Sequence, residues 1–282
     1  MHPLAVMGLL FTRLGTLLNQ QATPLYSIFA LLYASALALP FVAICWFIIE
    51  IAEFKSVLIG LILWACLGQY QVRQTARRIC LYLTQHKKQL ARDTLAPFVL
   101  RDTEILTPLG IAKATIEMLI LRQAYQQIVV IFWFALTNIW VALAYRLCYE
   151  LASSWNPKLL IWQRIGAWTH LFIQLMQWPA IALYTVMVAV FNPQKSILPY
   201  LLNSPRITPG TCLLTVYGKV IDAQLSGAYR YAGATVRRAK IGTKTTVKLD
   251  HIQRTLLVQI LWMLAYVCLC SMITWAIFEG QS

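Results

Sequence analysis

The stretch TLLVQILWMLAYVCLCSMITWAIF, residues 255–278, contains no Asp, Glu, Lys or Arg. A helix needs about 20 mostly apolar residues to cross the hydrocarbon core of a bilayer. Further uncharged runs occupy residues 26–49, 56–72, 123–145 and 165–194. Because backbone groups in lipid must pair within their own segment, these runs predict helices. The sequence therefore indicates an all-α fold, a polytopic helical membrane protein with about five transmembrane helices plus interfacial helices.

The charges between these runs predict how the chain is oriented. We expect one membrane domain over residues 1–282, with spans near residues 26–49, 56–72, 126–145, 167–191 and 255–278. Nine Lys and Arg residues lie in segment 73–122 and ten in segment 195–254, while only Lys55, Arg146, Lys158 and Arg164 lie on the opposite side. Basic residues remain cytoplasmic. The N-terminus and both basic segments are therefore predicted to face the cytoplasm, at the inner membrane of a bacterium.

Composition narrows the possible ligands. The net charge of +14 favours contact with anionic lipid headgroups, and a phosphate-bearing ligand in the cytoplasmic loops is the alternative. No soluble module of basic and aromatic residues is evident, so we expect no nucleic acid. Seven scattered cysteines without a C-x-x-C pair, and four distant histidines, predict neither a disulfide framework nor a metal site. Membrane lipids are expected partners, and an oligomer is possible.

Candidate ligand-binding residues lie in the two basic segments, where bases and carboxylates occur together. They are Arg92, Arg101, Asp102, Thr103, Glu117, Arg237, Arg238 and Lys240. An ATP-using reaction needs carboxylates for magnesium and bases for phosphate. The alternatives are a solvated basic turn at residues 237–240 and a local pair between Lys113 and Glu117, four residues apart on a helix that begins near Thr107-Pro108.

One polar face is predicted inside the fourth span. His170, Gln174 and Gln177 recur at helical spacing, so their side chains share one side of the helix. Polar residues at membrane depth face the bundle interior or a cavity. Hydrogen bonds to Asn138 or Gln259 on neighbouring spans are one interpretation, and a ligand site is the other.

Short motifs, in order along the chain, resemble the CobD/CbiB membrane proteins of cobalamin biosynthesis and their shorter AmpE-type relatives. The motifs are His2-Pro3-Leu4 with Gly8, Ala91-Arg92, Val99-Leu100-Arg101-Asp102-Thr103, Lys113-Ala114-Thr115-Ile116-Glu117, Phe132-Trp133, Ala144-Tyr145-Arg146, Gly166, Pro179-Ala180, Leu225-Ser226-Gly227, Tyr231-Ala232-Gly233 and Ile241-Gly242. The resemblance covers nearly the whole chain. It implies a ligase that joins an aminopropanol group to adenosylcobyric acid with ATP and magnesium.

The chain departs from this family at charged positions. Leu121-Arg122 and Tyr125-Gln126 replace Glu-Asn and Asp-Gly of the family, and Tyr149-Glu150-Leu151-Ala152 replaces Asn-Thr-Leu-Asp. The family's paired aspartates fall near Ile173-Gln174, and its arginine after Pro-Ala is Ile181. A ligase without these groups lacks the means to hold magnesium and to neutralise a transferring phosphate.

These departures favour a non-catalytic, AmpE-like regulatory or signalling protein, to which we assign no catalytic residue, metal or cofactor. The alternative is a working adenosylcobinamide-phosphate synthase that uses Mg and ATP. A small transporter is a third possibility, but no inverted repeat is evident.

Overall fold

The structure is a computed structural model that describes residues 3–19, 26–68, 70–157, 159, 162–192, 208–231 and 234–279. Its helices are α1 Pro3–Asn19, α2 Tyr26–Ile51, α3 Lys55–Leu67, α4 Tyr70–Thr84, α5 Lys88–Leu95, α6 Pro108–Gln123, α7 Val129–Leu136, α8 Ile139–Ser154, α9 Gln163–Val190, α10 Pro209–Val220 and α11 Asp250–Glu279. The described residues also form two strands, β1 Gln224–Tyr231 and β2 Ala234–Gly242, a short 3-10 helix Ala96–Phe98 and a π-helical turn Ala124–Ile128.

The predicted class, a polytopic helical membrane protein, is confirmed. Within the described residues, four helical segments are long and apolar enough to cross a bilayer: Lys55–Thr84, Pro108–Leu136, Gly166–Val190 and Asp250–Trp275. Helix α2 is also apolar and contains Pro40. The helical content follows from the need to pair every backbone group internally where no water is present.

The boundaries of the third span differ from those expected. Its helical segment begins at Pro108 and ends at Leu136, whereas the uncharged run had suggested residues 126–145. Asn138 accounts for the earlier end of this segment, because its side-chain oxygen accepts hydrogen bonds from the backbone N–H groups of Trp140 (3.0 Å) and Val141 (3.1 Å). Asparagine at this position caps a new helix, α8. A count of apolar residues does not detect such a cap.

One compact unit comprises residues 1–68, 129–180 and 274–282. The fully buried indole of Trp155 donates to the carbonyl of Phe11 at 2.8 Å. Gly166 lies against the Trp155 carbonyl so closely that a Cβ on Gly166 would stand 1.9 Å from that oxygen. Small residues allow membrane helices to approach in this way.

Arg146, which the sequence placed directly after the third span, lies within α8 and is 3% exposed. Its Nε donates to the Cys66 carbonyl at 3.0 Å, and its Nη1 is 2.6 Å from Glu150. A carboxylate four residues away on the same helix makes burial of this guanidinium tolerable.

The second compact unit comprises residues 69–128 and 181–273, and it contains the candidate site. Its β1–β2 hairpin is antiparallel and was not expected, because residues 229–242 had suggested a basic loop. Helix α10 precedes the hairpin and begins at a capping box formed by Thr208 and Thr211. Glycine and serine in β1 and the adjacent Arg237 and Arg238 in β2 interrupt the period of two that a strand with one apolar face would show.

Candidate functional site

Glu117 is the buried carboxylate around which the candidate site is built. It lies on α6 and is 4% exposed. Its Oε2 accepts a hydrogen bond from Arg101 Nη2 at 2.9 Å, and its Oε1 accepts one from the backbone N–H of Ser226 at 2.7 Å. Both oxygens are therefore engaged by the protein. Hydrogen bonds to a charged carboxylate are stronger than those between neutral groups. Glu117 on α6 therefore links the loop that carries Arg101 to strand β1, which carries Ser226.

The start of α6 fixes the position of this carboxylate along the helix. Thr107 Oγ1 accepts a bond from the backbone N–H of Gly110 at 3.1 Å, and Pro108 occupies the first turn, where no N–H is required. The sequence left open a local pair between Lys113 and Glu117. The structure instead pairs Glu117 with Arg101, whose planar guanidinium suits a buried carboxylate better than an ammonium group does.

The irregular part of the β1–β2 hairpin, where two residues of β2 lie opposite Gly227, supplies the second bond to Glu117. The register of the hairpin shifts between Ser226 and Ala228, and φ is +60° at Ser226 and +123° at Gly227. A φ of +123° is readily adopted only by glycine. Bulges re-aim backbone groups and are frequent beside functional sites, and this one accompanies the bond from the Ser226 N–H to the Glu117 carboxylate.

Two lysines stand beside this bulge. A Cβ placed on Gly227 would lie 3.5 Å from Lys113 Nζ and 3.8 Å from Lys240 Cγ. Gly227 itself is buried, so both lysine side chains pack close to the backbone at this point. The ammonium group of a lysine is a compact point charge and binds phosphate well.

Tyr229 lies between two further cations. The guanidinium carbon of Arg101 is 5.0 Å from the ring centroid of Tyr229, and that of Arg238 is 5.5 Å from it. Cation–π contacts of this type hold guanidinium groups in place. Four basic side chains, Arg101, Lys113, Arg238 and Lys240, therefore lie near Tyr229 or Gly227, in the part of the unit that also holds the Glu117 carboxylate. We call these four basic residues and Glu117 the basic cluster, and its excess positive charge favours an anion.

Asp102 ties the loop before α6 to the hairpin. Its backbone N–H donates to the Arg230 carbonyl at 2.9 Å, and its carboxylate lies 3.7 Å from Arg230 Nε. Asp102 is adjacent to Arg101 in sequence, and its contacts with Arg230 fix the loop that carries Arg101 against the hairpin. The backbone of Arg237 pairs with Ala228 in the hairpin, while its side chain lies outside the described residues.

Arg92 and Thr103 shape the same loop. Arg92 donates to the Leu106 carbonyl through Nε at 3.2 Å and Nη2 at 2.7 Å. The Thr103 carbonyl accepts from the Leu106 N–H at 3.1 Å, and Thr103 is 8% exposed. The structure therefore brings Arg101, Glu117, Arg238 and Lys240 together, while Arg92, Asp102 and Thr103 position the loop.

The carboxylates of the site do not suit magnesium. Magnesium takes an octahedral set of oxygen ligands, including one or two carboxylates. Both Glu117 oxygens are already bonded, and the Asp102 carboxylate faces Arg230. Among the residues that the structure describes, no group of three or more His, Cys, Asp or Glu side chains could hold a metal ion.

Positions where the resembled family carries acids are packed in this chain. A Cβ on Gly210 would lie 2.6 Å from the Tyr125 hydroxyl and 3.2 Å from Leu121 Cδ2, so both side chains fill the space against α10. Arg122 Nη2 donates to the Phe98 carbonyl at 3.2 Å, and its guanidinium covers the Phe98 ring at 5.1 Å. Leu121 and Tyr125 therefore contribute packing where the family pattern has acids, and Arg122 stands where it has asparagine.

The polar face of α9 lies in the first compact unit. Gln177 is 4% exposed, and its Nε2 donates to the Tyr145 hydroxyl at 3.3 Å. His170 and Gln174 are half-buried on the same helix. The partner of Gln177 is thus a tyrosine on α8, and Asn138, one of the two expected partners, caps that helix instead.

A buried hydrogen-bonded chain was missed at the sequence level. Gln123 Nε2 donates to the Gln259 carbonyl at 2.9 Å, and Gln123 Oε1 accepts from the Tyr217 hydroxyl at 3.4 Å. The Tyr217 hydroxyl also bonds that of Tyr184. Burial raises the pKa of Tyr217, so its hydroxyl remains a donor. The signal in the sequence that could have indicated this chain is that Gln123 and Gln259 are polar residues within apolar runs.

Comparison with known proteins agrees with the resemblance. The sequence profile of a family described as "CobD/Cbib protein" matches residues 1–259. A relative named "Cobalamin biosynthesis protein CobD" from Stutzerimonas stutzeri is 23% identical over 261 residues, 90% of this chain and 85% of that protein. A protein of the same name from Chromobacterium violaceum is 29% identical over 128 residues, 44% of this chain and 41% of that protein.

No solved structure matches this chain. The profile match extends over most of the 282 residues, and one of the relatives aligns over nearly the same length. The matched region includes all five residues of the basic cluster and the whole β1–β2 hairpin. The chain therefore belongs to the CobD/CbiB family.

Proposed function

We propose that this chain is a member of the CobD/CbiB family that binds an anionic, phosphate-bearing ligand without forming an amide bond. Its role is then regulatory or signalling, of the AmpE type. The observation that carries this proposal is the state of Glu117, whose two oxygens are bonded to Arg101 and to the Ser226 N–H. The remaining charge of the basic cluster is positive and is suited to an anion.

The charge balance supports binding rather than ligation. Phosphoryl transfer depends on metal ions that bridge phosphate oxygens, and carboxylates hold those ions. Only one carboxylate, Glu117, belongs to the basic cluster, and positions where the resembled family has other acids hold Leu121, Tyr125 and Ala152. Lysine and arginine alone bind phosphate groups well.

We also propose a location at a bacterial inner membrane, with the N-terminus and the basic cluster in the cytoplasm. Segments 73–122 and 195–254 carry nine and ten of the 24 Lys and Arg residues, which supports this orientation. A cytoplasmic cluster would be exposed to soluble phosphate compounds. No nucleic acid is part of this proposal, and an oligomer is compatible with it.

Complementation tests the proposal. The chain is expressed in a strain that lacks its cobinamide synthase and is fed cobyric acid, with an authentic synthase as positive control. We expect the strain to remain auxotrophic although the chain is present in the membrane fraction. Growth that depends on this chain would overturn the non-catalytic assignment.

The alternative function is an ATP-dependent synthase with a rearranged site. The names of the two relatives favour it, since both are described as cobalamin biosynthesis proteins. Under this alternative, Glu117→Ala and Asp102→Ala should abolish growth in the complementation assay while the protein still inserts. Glu104→Ala is the matched control, because Glu104 is an exposed carboxylate in the same loop.

A further inference from the structure

A half-open groove lies in the second compact unit, outside the basic cluster. It has a volume of about 400 Å³. Its walls come from the end of α10, the residues that follow α9 and the first turns of α11, and they include Phe191, Val220, Arg254, Val258, Leu261 and Trp262. Ligand sites of proteins commonly have volumes of about 300–1,000 Å³, so the groove is large enough to hold part of a lipid.

The inner surface of the groove is apolar. The rings of Phe191 and Trp262 lie with their centroids 5.7 Å apart and form one wall. Leu261 is 66% exposed, and Leu257 and Leu264 on the same helix are exposed to a similar degree. Helix α11 contains the candidate span Asp250–Trp275, so this surface belongs to a helix apolar enough to contact acyl chains.

Arg254 adds a positive charge to the groove. It lies in the second turn of α11, close to the end of the candidate span, and its side chain is exposed. No carboxylate of the described part of the chain lies within 4.0 Å of it. Long basic side chains near helix ends reach towards the headgroup region.

We propose that this groove binds one anionic phospholipid, with an acyl chain against Phe191, Val258 and Trp262 and the phosphate on Arg254. Basic pockets between transmembrane helices are known to hold anionic headgroups. The combination of an apolar channel and one cation at its end complements a lipid with a charged head and an apolar tail. The inference does not depend on whether the basic cluster binds an anion.

Native mass spectrometry of the purified full chain tests the proposal. Phosphatidylglycerol and phosphatidylcholine of equal acyl length are titrated separately. We expect phosphatidylglycerol to bind more tightly, and Arg254→Gln to weaken it roughly fivefold, the factor that corresponds to about 1 kcal/mol for one basic residue at a membrane surface. Ala265 also lines the groove, so Ala265→Trp places an indole in it and should weaken binding of both lipids. Arg77→Gln, an exposed arginine that does not line the groove, should change neither.

Three results would overturn the proposal: equal affinity of the native chain for both lipids, unchanged phosphatidylglycerol binding in Arg254→Gln, or an equal loss in Arg77→Gln. If Arg254→Gln does not fold, the native chain still decides the matter through ionic strength. Raising salt from 50 to 500 mM should weaken phosphatidylglycerol binding and leave phosphatidylcholine binding unchanged, because salt screens an exposed ion pair. Equal salt dependence for the two lipids would exclude a role for the charge.

Discussion

Replacing Glu117 by glutamine should destabilise the protein without removing its affinity for anions. The side chains of Arg101 and Glu117 are 9% and 6% exposed, so this is a buried ion pair. Glutamine can still accept the bond from the Ser226 N–H through its amide oxygen. The Arg101 guanidinium, however, loses its carboxylate and faces an amide group instead.

The size of the effect follows from the burial of the pair. Removing one partner of a buried ion pair costs about 3–5 kcal/mol, because the other charge is left uncompensated. The contact of Arg101 with the Tyr229 ring, at 5.0 Å, remains and places the expected loss near the lower end of that range. The double variant Arg101→Gln/Glu117→Gln leaves no unpaired charge. It should therefore regain about 1–3 kcal/mol relative to the sum of the single variants.

Unfolding of the purified protein in detergent, followed by tryptophan fluorescence during titration with a denaturing surfactant, measures these differences. Glu104→Gln is the control and should change the unfolding free energy by less than about 0.5 kcal/mol, as is usual for exposed positions. Pyrophosphate binding to Glu117→Gln should be retained or strengthened, because the basic cluster loses its negative charge. The reasoning is refuted if Glu117→Gln is as stable as Glu104→Gln.

Further substitutions test other parts of the structure. Gly227→Ala should cost about 1–3 kcal/mol of stability, because alanine is strained at φ +123°, and normal stability would show that the bulge is absent. Gly166→Ala should prevent correct packing, since its Cβ would clash with the Trp155 carbonyl, whereas Gly60→Ala has nothing within 4 Å and should fold normally; equal membrane yields would contradict this close contact. Gln259→Leu should raise the unfolding free energy by about 1–3 kcal/mol, because both amide atoms of this fully buried side chain lack a partner, and a decrease would indicate that the amide is paired.

The helices could be predicted because one physical rule dominates them. Uncharged runs long enough to cross a bilayer must be helical, and Thr107-Pro108 marks a helix start by its capping chemistry. Asn138 is also a helix cap, but it lies inside the uncharged run 123–145, so the run was interpreted as one continuous helix. The hairpin was not predicted, because a two-stranded sheet with basic residues on it shows no apolar alternation.

The candidate site was predicted as a set of residues but not as an arrangement. Arg101, Glu117, Arg238 and Lys240 were identified by charge and by resemblance, and the structure places all four at one bulge. Ser226 lies 109 residues from Glu117 along the chain, and one sequence does not reveal such a contact. The same holds for Arg146, whose burial depends on Glu150 and on a carbonyl from a different helix.

The central claim is that the basic cluster holds an anion without the help of a divalent metal. Isothermal titration of the purified protein with pyrophosphate, with and without magnesium, tests it most directly. The account predicts binding in the absence of magnesium, lost in the Arg101→Gln/Lys113→Gln variant and not strengthened when magnesium is added. Binding that occurs only when magnesium is present would contradict it, because a metal would then have to be held by carboxylates that the account assigns to other partners.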